Sequence, residues 1–222
     1  MAITRTIVFM GCSITDAGHK DGDLGTGYAA MTAGMLTQLF PQVKFRFINS
    51  GVAGNCAYQC RDRWQTDVLD HHPDFVTLMI GGNDSYQFSI GDPNPELPVR
   101  AYRRTVDALV TRTLAQKPCR GMVLIPQHYL CNEAGRAANT FPTVGMIDAQ
   151  PAYTRAMIAV GRKHGIPVIR SDKGLWAATR SIPAQQITPD FVHPNTFGHA
   201  IMAKHLVDAL APLIAASLPK KK

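Results

Sequence analysis

The sequence predicts an α/β domain in which one parallel sheet is covered by helices on both faces, a three-layer α/β/α sandwich. Short apolar, β-branched runs alternate with longer stretches of helical period, the pattern of strands joined by helical crossovers. No internal repeat or low-complexity linker divides the 222 residues, a length that lets one domain bury about 70% of its unfolded surface.

Five strands are expected: TIVFM (6–10), VKFRFI (43–48), FVTLMI (75–80), MVLI (122–125) and PVI (167–169). Helices are expected between and after them at 28–39, 59–69, 99–114, 153–164 and 196–215, where apolar side chains recur at three- and four-residue spacing. A doubly wound sheet of these strands has the order 2-1-3-4-5, with the carboxyl ends of the first three strands adjacent at the switch point where such sheets bind ligands. Two connections, 85–98 and 127–146, are longer than ordinary loops and leave the sheet at that end. Residues 1–218 are expected to form the single domain, with 219–222 a disordered basic tail.

Composition narrows the function. Of the formal charge of +7, three units are the terminal Lys220, Lys221 and Lys222, and the remaining basic residues form no aromatic-interleaved stripe, which argues against nucleic acid. No uninterrupted apolar run approaches the roughly 18 residues of a membrane span, and the opening MAITRTIVFMGCS lacks a signal-peptide cleavage pattern, so neither membrane nor export is expected. Five cysteines, an odd number without paired CxxC spacing, fit thiols in a reducing compartment, and a cytoplasmic location is the expectation.

Four polar segments fall where the sheet concentrates its strand ends. The first strand runs into GCSITD (11–16), the second into NSGVAGN (49–55) and the third into GGND (81–84), while TPDFVHPN (188–195) precedes the last helix. Acyl transfer needs a nucleophile, a base, a group to orient the base and donors for the oxyanion. Ser13 offers the hydroxyl, His193 the base and Asp190 a carboxylate three residues before it. Gly54 lets a backbone N–H approach closely, and Asn83 supplies an amide donor. Each segment alone also reads as an ordinary turn or helix cap; their joint order is what carries weight. His71 and His72 read as a solvated loop, and His199 and His205 as structural residues of the last helix. A metal held by Asp190, His193 and His199 lacks any supporting spacing such as HExxH, so neither metal nor cofactor is expected.

The order of these blocks resembles that of the SGNH hydrolases, the GDSL esterase and lipase superfamily. It is closest to the serine acetylxylan esterases and their lysophospholipase-like relatives, whose blocks read here as GCSITD, LGTGY (24–28), NSGVAGN, RWQTD (63–67), GGND and DFVHPNTFGH (190–199). The resemblance implies a flavodoxin-like fold and a Ser13, His193, Asp190 triad, with Ser13, Gly54 and Asn83 forming the oxyanion hole. It also implies a small acylated substrate, an acetylated sugar first, and leaves a homo-oligomer open. Trp64, Tyr86, His128 and Tyr129 are expected to touch the sugar. A lysophospholipase or acyl-thioesterase is the alternative activity, and an inactive carbohydrate-binding module the alternative class. The chain departs from the family at Cys12, where the Asp of GDS is usual. Restoring Asp is expected to be tolerated. Cys12 is itself a potential nucleophile, but neighbours on an extended segment point to opposite sides, so only one of Cys12 and Ser13 can face His193.

Overall fold

The computed structural model describes residues 3–131, 136–137 and 144–219. Half of the polar connection at 127–146 therefore lies outside the described residues, as does the tail beyond Pro219.

The sheet has four parallel strands in the order β2-β1-β3-β4: β1 (Ile3–Gly11), β2 (Val43–Gly51), β3 (Phe75–Ile80) and β4 (Gly121–Pro126). Every residue of the central strand β3 is buried, as is every residue of β4 at the sheet's end, and β1 is buried from Arg5 onward. The expected fifth strand is a correction. Residues 167–169 make only one bridge, Leu124 with Val168, in which Leu124 donates to the Pro167 carbonyl (3.0 Å) and Ile169 donates to Leu124 (2.9 Å). Pro167 has no N–H to extend the ladder, and a helix begins two residues after Ile169.

Alternation along the strands sends side chains to two cores. Val8, Met10, Val76, Leu78 and Leu124 face α6 (Val99–Leu114) and α7 (Val144–His164) on one side, the latter two helices reached through Tyr102, Val106, Tyr153 and Met157. Ile7, Phe9, Phe75, Met79 and Val123 face α2 (Tyr28–Leu39), α8 (Ser171–Ala178) and α9 (Thr196–Ala216) on the other. Helix α9 is long and apolar enough to cross a membrane by length and composition, although Lys204 and Asp208 interrupt its apolar run, and its Met202, Leu206, Leu210 and Ile214 are buried in the second core.

Two helices differ from expectation. The helix expected at 59–69 is broken into α3 (Ala57–Asp62), α4 (Trp64–Asp67) and a 3-10 turn at Leu69–His71; the break falls at Arg63, whose side chain turns inward to the strand ends. Helix α7 begins nine residues earlier than expected and carries Pro151 within it. The expected loop at 85–98 likewise opens with helix, α5 (Gly82–Ser89).

Candidate active site

In-line register sets the site. Gly11 pairs with Gly51 on one side and Met79 on the other, so the segments after β1, β2 and β3 leave the sheet side by side. The segment after β1 turns at once into the one-turn helix α1 (Ser13–Asp16), whose Thr15 and Asp16 N–H groups bond the Cys12 carbonyl at 3.0 and 2.8 Å. This turn lies directly on β2: a Cβ at Gly51 would collide with the backbone of Asp16. Asn49 stitches the same corner, its amide donating to the Thr15 (2.7 Å) and Leu24 (2.9 Å) carbonyls while its oxygen accepts from the Gly51 N–H (2.9 Å).

Ser13 is thereby presented to the loop that precedes α9. Ser13 Oγ lies 2.9 Å from His193 Nε2, and His193 Nδ1 lies 2.6 Å from Asp190 Oδ2. The other Asp190 oxygen accepts from the N–H groups of Val192 (3.0 Å) and His193 (2.7 Å). Burial alone would raise the pKa of Asp190, but these hydrogen bonds outweigh it and hold the carboxyl below its ordinary range. Asp190 is not a cap. Asn195 is: its side chain accepts from Phe197 and Gly198 at the start of α9. Phe191, in left-handed backbone at φ 64°, accepts at its carbonyl from Leu130 and ties this loop to the segment after β4.

Gly54 and Asn83 stand on the neighbouring strand ends. Gly54 has φ 81°, a conformation suited to glycine, and its N–H has no acceptor among the described residues. Asn83 donates one amide hydrogen to the Asn55 carbonyl at 2.9 Å, which joins the two segments and leaves its second hydrogen without a protein acceptor among the described residues. A cavity of about 410 Å³ opens beside Ser13, bounded by Ala17, Thr26, His193, Pro194 and His199.

Several supporting residues carry no role in the sequence reading. Arg63 forks to the Ser50 carbonyl (2.8 Å), the Asn55 side chain (2.9 Å) and Asp67 (2.6 Å), with a longer bond to the Gly11 carbonyl (3.3 Å). It braces the ends of β1 and β2 against the Gly54 loop. Asp84 is fully buried, both carboxylate oxygens taking the Ala57 N–H just beyond that loop (3.0 and 3.2 Å). Burial pushes its pKa up to about 7 despite that bond. His199, read from the sequence as structural, accepts the Tyr28 N–H at Nδ1 (3.1 Å) and so caps α2; burial, then the charge of His193, pushes its pKa down to about 4. It stays neutral beside the base.

Cys12 is buried and its thiol donates to Gln127 Oε1 (3.2 Å), an oxygen that also accepts the Gly82 N–H (3.0 Å). Burial pushes the thiol up to about 11. It is a buried donor bound to Gln127, and Ser13 is the group that meets the His193 ring. A carboxylate at position 12 sets acceptor against acceptor at Gln127, so the expected tolerance of Asp there does not follow from this packing.

The aromatic residues expected at the substrate divide. Trp64 is a correction: it is wholly buried in the core, its indole N–H donating to Thr113 Oγ1 (3.1 Å), and it does not line the cavity beside Ser13. Tyr129 is buried, its hydroxyl donating to the Gly82 carbonyl (2.8 Å), and it packs with Met146, Val192 and the half-buried Tyr86 next to His193. His128 is buried and lines a different cavity from Ser13. Among the described residues no cluster of three or more His, Cys, Asp or Glu side chains is arranged to hold a metal ion.

Comparison with known proteins agrees with this geometry. Residues 9–201 match the GDSL-like lipase/acylhydrolase family. An acetylxylan esterase of Geobacillus stearothermophilus is 30% identical over 209 residues, covering 89% of this chain and 90% of that protein. The solved structure of Axe2, an acetylxylan esterase from the same organism, aligns over 95% of this chain and 96% of its own, at 26% identity and a TM-score of 0.79. Structures described as catalytic mutants of Axe2 replace a serine, a histidine and an aspartate by alanine. LAE5, an α/β hydrolase enzyme from the metagenome of Lake Arreo, Spain, aligns over 96% of this chain and 98% of its own at 28% identity and a TM-score of 0.82. With its serine held against a histidine at the sheet's switch point and this match over most of its length, the chain belongs to the GDSL-like lipase/acylhydrolase family and is a carboxylic ester hydrolase.

Proposed function

We propose that the enzyme removes acetyl groups from an acetylated carbohydrate through an acyl-enzyme on Ser13. The observation that carries this reading is the hydrogen-bonded row of Ser13, His193 and Asp190, 2.9 and 2.6 Å between successive polar atoms. His193 Nε2 takes the hydroxyl proton as Oγ attacks the ester carbonyl, and Asp190 stabilises the imidazolium. The Gly54 N–H and the second Asn83 amide hydrogen, both without protein acceptors among the described residues, are the donors for the oxyanion, with the Ser13 N–H the third. The tetrahedral intermediate collapses, His193 returns its proton to the departing sugar alcohol, and the acetyl group stays on Oγ. Water, giving a proton to His193, then attacks the acyl carbonyl and releases acetate while Ser13 recovers its proton. No metal enters this sequence. The neutral His199 beside His193 adds no positive charge against the imidazolium.

Acetyl as the acyl group is supported by the cavity of about 410 Å³, whose small lining residues Ala17, Thr26 and Pro194 form no long apolar trough, and by the acetylxylan esterases among the relatives. A long chain gains about 0.8 kcal/mol per CH₂ only where each leaves water. The complete row at Ser13 argues against an inactive binding module, and the odd cysteine count supports a reducing, cytoplasmic setting. Turnover of a p-nitrophenyl ester series together with acetylated sugars tests the reading. The rate should be highest for acetyl, fall by butyryl and vanish by octanoyl; an octanoyl rate above acetyl replaces the carbohydrate reading with a lysophospholipase or thioesterase.

A further inference from the structure

A second cavity, of about 380 Å³, lies on the other side of the segment after β4, between α7 and α8, and neither Ser13 nor His193 lines it. Its volume falls within the range of small-molecule sites. Among its lining residues are His128, Thr154, Arg155, Arg170, Asp172 and Trp176.

Three features of this wall are unspent by the fold. His128 is buried, and among the described residues neither of its ring nitrogens has a hydrogen-bond partner; a neutral imidazole has one donor and one acceptor, and leaving both unfilled is costly. Burial pushes its pKa down to about 4, so it is neutral. Trp176 leaves 42% of its surface exposed, whereas the chain's other tryptophan, Trp64, is wholly buried. Arg155 is an exposed guanidinium without a partner among the described residues, in contrast to Arg170, which grips Asp172 with two nitrogens. The wall therefore presents one uncompensated positive charge, one aromatic face and one empty donor–acceptor ring.

We propose that this cavity binds a sugar ring that carries a carboxylate, its apolar face on Trp176, its carboxylate on Arg155 and a ring hydroxyl at His128. A pyranose offers C–H groups to an aromatic face and hydroxyls at its edge, and a hydroxyl, able to donate or accept, can meet one His128 ring nitrogen in either tautomer. The planar guanidinium matches a carboxylate with two parallel bonds. The choice of a sugar rests on the carbohydrate reading of the active site.

Trp176 is the natural reporter, since Trp64 is shielded by the core. Protection of tryptophan fluorescence from acrylamide quenching, titrated with glucuronate, should saturate, and glucose should bind at least about tenfold more weakly, the loss of one charge-assisted contact. Arg155→Gln should reduce glucuronate to the level of glucose, and Trp176→Ala, followed by calorimetry, should abolish binding of both. Absence of saturable protection, equal binding of glucose, or undiminished binding by Arg155→Gln overturns the proposal. Turnover of acetylated sugars and of octanoyl esters by the same preparations separates the two readings: loss of the pocket leaves the preference for acetyl intact, whereas failure of the carbohydrate reading reverses that preference whatever glucuronate does.

Discussion

Asp84→Asn should become more stable relative to the parent as pH rises. Asp84 is fully buried against the Ala57 N–H, and no salt bridge reaches it among the described residues. Burial moves its pKa from 3.8 to about 7. Between those values the unfolded chain releases a proton that the folded chain keeps, so each pH unit favours unfolding by about 1.4 kcal/mol and the window totals about 4 kcal/mol. The contribution is fully present below the unfolded pKa and is lost as pH rises through the folded one. An asparagine keeps an oxygen for the Ala57 N–H and does not ionise. Its surplus amide hydrogens carry a pH-independent cost of about 1–3 kcal/mol. Urea denaturation of both proteins across about pH 4 to 8 should therefore show the variant gaining roughly 3–4 kcal/mol on the parent. Parallel pH dependences for the two proteins refute the reasoning, because they mean that Asp84 ionises in the fold as readily as in the open chain.

Asn83→Ala should lower turnover of p-nitrophenyl acetate roughly 100- to 1000-fold, the scale of one oxyanion donor; near-parent turnover removes Asn83 from the mechanism. Arg63→Lys loses the fork that joins Ser50, Asn55 and Asp67, so stability in urea should fall by about 2–4 kcal/mol, and turnover with it. If only stability falls, Arg63 holds the fold and not the geometry of the site. Cys12→Ser keeps a donor to Gln127 and should retain activity. Cys12→Asp loses it and should cost about 1–3 kcal/mol in urea; an aspartate variant as stable as the parent means that Gln127 turns its amide to meet the carboxylate.

The strands were legible because a parallel strand buried on both faces is a continuous apolar run, and β1, β3 and β4 are such runs. The fifth failed where Pro167 and the nearby start of α8 leave room for only one bridge. Helix α7 was cut short in the sequence because Pro151 reads as a boundary, yet the structure carries helix through it. The hydrogen-bonded row of Ser13, His193 and Asp190 left a trace in the sequence because Asp190 and His193 are three residues apart and Ser13 follows closely on the end of β1. Trp64 was misplaced by its chemistry, although Cys60, Trp64 and Val68, spaced by four, already trace a buried helical stripe. Gln127 carried no local signal, since its partners Cys12 and Gly82 are 115 and 45 residues away. For Arg63 the Asp67 partner at four residues' distance was visible, whereas its bonds to Gly11 and Ser50 exist only once the strand ends are side by side.

The central claim is that Ser13 carries the acyl group. Turnover of p-nitrophenyl acetate stopped by acid, followed by peptide mass mapping, should place one acetyl group on the peptide containing Ser13, at Ser13 itself and not at Cys12. The same peptide should be the one labelled by a fluorophosphonate. Ser13→Ala should lose the acetyl adduct, the label and the turnover together while keeping the parent's resistance to urea. An acetyl group found on Cys12, or turnover that survives in Ser13→Ala, contradicts the account.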